Sequence, residues 1–432
     1  QDIRREIIAG AKRLAEKYRR TFRTITPSSW AKIFHYLERD LLGFGPLNTI
    51  MNDYRVEDIS CDGVGIPVFV WHRKFESIPT NLILAKRDDL DDFIIKLAHK
   101  SGKHVSSAFP IVDAMIYGRH RLAASYRDEV SPKGSTFTIR KFREEPFSII
   151  DLIQTGTLSE DIAAYFWTLL EHRATIMILG GTGSGKTTTL NALACLIKPG
   201  MKIVTVEETA ELNLPQQNWV QFLSRESYGL GAVSKVGEIS LFDLVRTSLR
   251  YRPDYLIVGE IRGAEAFVLF QALATGHGGI STNVSEPYIP LMNAVLLIER
   301  VYLPKARMGL TFGRRARNLW EILDYGKYMN ISEWLPTTDS FQINYRGSFL
   351  LSKIATKLGK TRSDLINEIE RRKLVLRWMA ERGIRSVREV SRIVAEYYAN
   401  PEGVYSKIIE EVPVLTTPSG GVSSRRLGEG TP

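Results

Sequence analysis

The sequence predicts an α/β protein: a mostly parallel sheet with helices on both faces, preceded by a small α+β domain and carrying helical terminal additions. Three observations lead there. Residues 174–179, 202–206 and 255–258 are short, strongly apolar runs, as expected of strands buried on both faces. Each is flanked by segments with helical spacing, the pattern of a parallel sheet with crossover helices. A glycine-rich run at 180–187 joins the first of these strands to a helical segment.

The elements before that sheet follow in order. Residues 1–42 read as helical: Ile3, Ile7, Ile8, Ala11 and Leu14 recur at helical spacing, and the pattern resumes after Pro27 over residues 30–41. The break at 43–46 contains two glycines and Pro46. Residues 59–70 turn strand-like, with Gly63, Gly65 and Pro67 as turn residues. An amphipathic helix is expected over 89–103, and strands over 122–126 and 135–142. Helical periodicity returns after Phe341, over 365–379 and 387–397. The expected domains are therefore a basic helical segment (1–42), an α+β domain (43–146), an α/β domain (147–340), a helical module (341–411) and a mobile tail (412–432) rich in Gly, Ser, Thr and Pro.

Composition narrows the function. The 432 residues include 44% apolar and 25% charged residues, as in globular proteins. Two cysteines, Cys61 and Cys195, cannot form a disulfide framework and read as buried thiols. No stretch approaches the ~20 apolar residues of a membrane-spanning helix, and the charged first 23 residues do not resemble a signal peptide. A cytosolic multidomain protein is expected. The net charge of +10 is concentrated: eight Lys/Arg against three Asp/Glu in residues 1–23, and five basic residues with no acid in residues 305–317. Such clusters suit an anionic lipid surface, nucleic acid or an acidic protein face; the bland reading is a solvated helix face.

The run Gly180, Gly181, Thr182, Gly183, Ser184, Gly185, Lys186, Thr187 matches G-x-x-x-x-G-K-[ST], and Thr188 continues it. Glycines allow backbone N–H groups to turn in around phosphate oxygens; Lys186 supplies a cation and the Thr187 hydroxyl a Mg²⁺ ligand. The helix that starts there adds its N-terminal dipole. This is a nucleoside-triphosphate site, with ATP and Mg²⁺ the expected ligands. No N-K-x-D segment points to a GTPase, and no L-S-G-G-x to an ABC-type ATPase. Two acidic clusters follow strands: Glu207 and Glu208, with Glu211 beyond, and Glu260 after the run 255–258. In a parallel sheet, ligands bind at the carboxyl ends of strands. These carboxylates suit a metal-holding role (Glu207) and a water-orienting one (Glu260) in phosphoryl transfer.

Five ordered motifs then carry a family resemblance: the segment 132–142 (PKGSTFTIRKF), the phosphate loop, the acidic box at 207–214, residues 252–263 (RPDYLIVGEIRG), and residues 274–282 (ATGHGGIST). Over about residues 44–404 the chain resembles the hexameric ATPases of type II secretion, type IV pilus and type IV secretion systems. It looks closest to the archaeal branch that drives the archaellum and archaeal pili. The resemblance implies a RecA-like P-loop NTPase domain in a homohexamer, with ATP between the N-terminal and RecA-like domains. Arginines from the N-terminal domain would complete the site, here Arg121, Arg140 and, third, Arg127. Arg246, Arg250, Arg252 and Arg262 are secondary candidates, and His277 is a candidate in the histidine box.

Two departures stand out. The acidic box reads Glu207-Glu208 where the family usually has Glu-Asp, and Val284 stands where it has a second histidine. The second change puts inter-subunit sensing in doubt more than nucleotide binding. The expected protein is a cytoplasmic motor at the inner face of the membrane, acting through a polytopic platform protein on pilin-like subunits. An anionic membrane surface could meet the basic clusters. Two other readings stand beside it: a DNA-export ATPase, with nucleic acid the less favoured partner, and a regulatory ring subunit with weakened hydrolysis.

Overall fold

The computed structural model describes residues 2–18, 26–117, 120–143, 145–225, 237–259, 265–274, 276–282, 286–307 and 310–411. The chain forms two compact units: residues 1–144 with 209–211, and residues 145–208 with 212–432.

The first unit opens with helices α1 (Asp2–Lys17) and α2 (Pro27–Leu37), then the short α3 (Asn48–Asn52). Its six strands are β1 (Val56–Cys61), β2 (Pro67–His72), β3 (Glu76–Ile83), β4 (Ile111–Ile116), β5 (His120–Ser125) and β6 (Thr136–Arg140). They pair antiparallel in the order β3-β2-β1-β6-β5-β4. Helix α4 (Arg87–Lys100) contributes Leu90, Phe93, Ile94 and Leu97 to the core, against Ile59, Val68, Leu122, Phe137 and Ile139. The single strand-like stretch read at 59–70 is a hairpin turning over Gly63 and Gly65.

Lys100 titrates within this unit. Its Nζ donates to the Gly43 carbonyl at 2.5 Å and to the Tyr117 hydroxyl, and lies 4.7 Å from the Tyr117 ring centre. Burial, then the neighbouring Lys96, pushes it from 10.5 down to about 8. Between those values the unfolded chain binds the extra proton, so stability rises with pH. Tyr117, pushed above its usual 10 by burial, opposes this only at higher pH. The unfolding transition of this unit is therefore expected to move up between about pH 8 and 10. Lys100→Met should flatten that rise; an unchanged slope in the variant would refute the assignment.

The second unit holds a nine-stranded sheet. Helices α5 (Ile149–Gln154) and α6 (Glu160–Glu171) lead into β7 (Thr175–Leu179) and α7 (Lys186–Ala194). Then come β8 (Ile203–Glu207), β9 (Trp219–Leu223), α8 (Leu241–Ser248), β10 (Tyr255–Val258), α9 (Glu265–Ala274) and β11 (Gly278–Thr282). Strands β12 (Ala294–Arg307), β13 (Leu310–Asp324), β14 (Lys327–Leu335) and β15 (Ser340–Ile343) precede the helices α10 (Phe349–Leu358), α11 (Arg362–Glu381), α12 (Val387–Ala399) and α13 (Pro401–Glu411). The order is β15-β14-β13-β12-β7-β11-β10-β8-β9, parallel from β12 to β9 and antiparallel from β12 to β15.

Successive strand residues face opposite sides. Ile176, Ile178, Ile203, Tyr255 and Ile257 enter one core with α5, α6, α7 and the C-terminal helices. Met177, Val204, Val206, Leu256 and Val258 enter another with α8 and α9. Both faces are covered, as the apolar runs predict. Cys61 and Cys195 are buried free thiols.

The antiparallel extension corrects one expectation. The basic run at 305–317 is no helix face: its described residues lie on β12 and β13. Arg315 is only 1% exposed and grips Asp339 with two bonds, Nε–Oδ1 at 2.6 Å and Nη2–Oδ2 at 2.8 Å. Buried Glu321, on the same strand, accepts from the Tyr165 and Ser348 hydroxyls and from the Phe349 and Leu350 N–H groups at 2.8 and 3.1 Å. It thereby caps α10 with a carboxylate.

Candidate functional site: the phosphate loop and its surroundings

Strand β7 ends at Leu179, the loop follows, and α7 begins at Lys186. Gly185 caps the helix in a left-handed conformation, φ 97°, which glycine adopts without steric cost. Gly180 is needed for another reason: a Cβ there would lie 2.2 Å from the Ile298 carbonyl oxygen on β12 and 2.4 Å from Ser184 Oγ. Lys186 Nζ donates to the carbonyls of Gly180 and Gly181 at 2.9 and 3.0 Å, within the curl of the loop. Gly181, Thr182 and Gly183 are exposed, and Thr187 and Thr188 are half-buried in the first turn of α7.

These residues fit a polyphosphate. Ser184 Oγ is buried without a hydrogen-bond partner among the described residues, a cost offset when a ligand oxygen supplies one. The N-terminus of α7 points its free N–H groups to the same place. Mg²⁺ commonly uses one or two protein oxygens beside phosphates and water rather than an all-protein cage. Among the described residues no cluster of three or more His, Cys, Asp or Glu could form such a cage, and Thr187 is the hydroxyl placed to serve.

The parallel sheet sorts the other candidates by edge. Glu207 ends β8, at the same edge as the loop. Since β11 and β10 intervene, the β7 and β8 axes are about 14 Å apart. Glu207 is 3% exposed; its Oε2 accepts from the Leu212 N–H and its Oε1 from Gln221 Nε2, both at 2.9 Å. It therefore orders the turn after β8, and a metal role would use its remaining lone pairs. Glu208 is exposed. Glu260, Arg262 and Val284 lie outside the described residues.

His277, the candidate of the histidine box, lies at the N-terminal end of β11. It immediately precedes β11, and β11 runs parallel to β7, so His277 sits at the edge opposite the loop. There it lines a cavity of about 280 Å³ with Arg173, Arg252, Pro253, Asp254 and Gly276. Asp254 pairs with Arg173 and accepts from the Lys202 N–H at 2.8 Å. Arg252 is exposed at this same edge, with φ 51°. Arg246 and Arg250 lie on and just after α8.

In the first unit, Arg121 and Arg140 are directly opposite each other on β5 and β6. Asp113 pairs with Arg121 at 2.7 Å and Asp58 with Arg140 at 3.3 Å, so two acids flank two cations across four strands. Arg127 pairs instead with Asp91 at 3.2 Å. Sequence reading missed Arg314, whose Nε donates to the Gly183 carbonyl at 3.1 Å. The signal was the basic run itself, read only as a surface patch.

A strand–glycine loop–helix unit in a sheet covered on both faces defines a RecA-like P-loop NTPase fold. Residues 130–284 match the family model described as type II/IV secretion system protein, and residues 337–417 one described as PilB3-like, C-terminal. An uncharacterized protein of Methanocaldococcus jannaschii is 37% identical over 401 residues, 87% of this chain and 71% of that protein. A putative conjugal transfer protein of Mycobacterium tuberculosis is 31% identical over 250 residues, 56% of this chain and 69% of that one. Among solved structures, the Legionella pneumophila ATPase DotB is 17% identical, with 88% of this chain and 96% of that chain covered and a TM-score of 0.45. The chain belongs to the type II/IV secretion system protein family. Among the described residues no helix is long and apolar enough to cross a membrane.

Proposed function

We propose that the protein is a ring-forming motor ATPase that hydrolyses MgATP to power assembly of a pilus- or archaellum-like filament, or secretion, through a membrane platform protein. The observation that carries this is the phosphate loop on β7–α7, with Lys186 inside its curl and Ser184 Oγ awaiting a partner. Lys186 would bind the β- and γ-phosphates, Thr187 would hold Mg²⁺, Glu207 would serve the metal only through the lone pairs that its bonds to Leu212 and Gln221 leave free, and Glu260 would orient the attacking water. The metal, when bound, neutralises charge developing on the phosphoryl oxygens. Arg121 and Arg140 stabilise that charge from a neighbouring or the same copy of a homohexamer working at the inner face of the membrane.

The relative described as a putative conjugal transfer protein favours a second reading, a DNA-export ATPase. The two are separated by measuring MgATP hydrolysis of the full chain with anionic vesicles and with single-stranded DNA. Stimulation by vesicles and not DNA is expected; stimulation by DNA alone reverses the order, and no hydrolysis under any condition refutes both.

A further inference from the structure

We infer that Arg314 is a positioning residue of the phosphate loop, holding it from outside, with Arg300 beside it as a second cation for the nucleotide's polyphosphate. This deepens the proposed ATPase reading and rests on it. A loop whose N–H groups turn in around phosphate turns carbonyls out, and those carbonyls need donors. Arg314 Nε meets the Gly183 carbonyl at 3.1 Å. The stem of the same side chain lies on the loop: a Cβ on Gly185 would be 3.0 Å from Arg314 Cδ. The β12–β13 hairpin thus touches the loop twice, through Arg314 and through the Ile298 carbonyl against Gly180.

Strand alternation separates Arg314 from its neighbours. Arg315 points to the opposite face, is buried and is occupied by Asp339. Arg317 shares that second face and pairs with Glu299 at 3.4 Å. Arg314 is exposed, and its register partner across the hairpin is Arg300. Like charges directly opposite each other are unfavourable in a sheet. Here the arrangement is nonetheless held: the Arg300 guanidinium lies 4.1 Å from the Phe312 ring centre on the neighbouring strand. The Arg314 guanidinium lies on an anion-binding loop, and its register partner Arg300 adds a second positive charge on the same strand pair, which complements the charge of a triphosphate. Arg314 polarises the loop's peptide groups through the outward carbonyl while the pair adds positive potential.

The test measures binding of MgADP and of the slowly hydrolysed MgATPγS to the full chain by calorimetry, and KM and kcat for MgATP. Arg314→Ala is expected to weaken binding and raise KM about tenfold or more, in line with loss of a charge-assisted bond. kcat should fall less than KM rises. Arg314→Lys keeps the charge without the fork and should recover part of the loss. Arg317→Ala removes an equal charge from the same hairpin and should leave affinity unchanged. The thermal midpoint of Arg314→Ala should be held or raised, because the repulsion from Arg300 is relieved. Unchanged Kd and KM in Arg314→Ala, with the parent protein binding normally, overturns the inference alone. If Arg314→Ala does not fold, Arg314→Lys decides by the same affinities, and parental affinity there overturns it. No nucleotide binding by the parent overturns this inference and the ATPase reading together.

Discussion

Lys186→Ala is expected to fold like the parent and to lose roughly 10²–10³ in MgATP turnover, the cost typical of deleting one preorganised charge-stabilising donor. The fold should survive because backbone builds the loop. Gly185 turns it, Gly180 admits the Ile298 carbonyl, and α7 packs through Leu190, Ala192 and Leu193. Lys186 Nζ, by contrast, hydrogen-bonds among the described residues to the Gly180 and Gly181 carbonyls, which remain near solvent once it is gone. What disappears is the cation inside an anion site. In a site that excludes water, its attraction for the γ-phosphate grows as charge develops there. Steady-state hydrolysis and the melting temperature of the variant decide the matter together. Parental turnover in a folded Lys186→Ala protein would sink the assignment of this loop as the reaction site.

How much of this was legible depended on whether the determining contacts are local. The phosphate loop was, because its constraint is a fixed spacing of glycines, a lysine and a threonine between a strand and a helix. The parallel strands β7, β8 and β10 were, because burial on both faces makes them continuous apolar runs. Strands β12–β15 were not. Arg315 and Glu321 occupy inward positions of β13, where alternation leads one to expect apolar residues. Their partners, Asp339, Tyr165 and Ser348, come from elsewhere in the chain, so the pattern broke for reasons no local window contains. The edge at which His277 sits was not legible either, because a parallel strand carries the two ends of its motif to opposite edges and only the strand pairing shows which end is which. Arg314 was visible as a charge and invisible as a contact, since only the hairpin's register sets it against Gly183.

The second large effect lies in the C-terminal helices. Arg372, on α11, is 3% exposed and joins that helix to α6. It pairs with Glu171, donates to Glu368 Oε1 at 2.9 Å and to Thr168 Oγ1 at 3.4 Å, and lies 5.2, 5.8 and 5.7 Å from the ring centres of Trp167, Tyr397 and Tyr398. Burial alone disfavours the charged guanidinium; Glu171 and Glu368 outweigh it and keep the group protonated. The net value of such a pair against an apolar substitute is small, but removing one partner strands the other. Arg372→Ala leaves two half-buried carboxylates without their cation and three rings around a void, so about 3–5 kcal/mol of stability should go. For a domain this large, each kcal/mol lowers the melting temperature by roughly 2–4 °C. Combining Arg372→Met with Glu171→Gln and Glu368→Gln fills the volume and removes the stranded charge, and should recover most of the loss. If the triple variant is no more stable than Arg372→Ala, the ion-pair account of this junction fails.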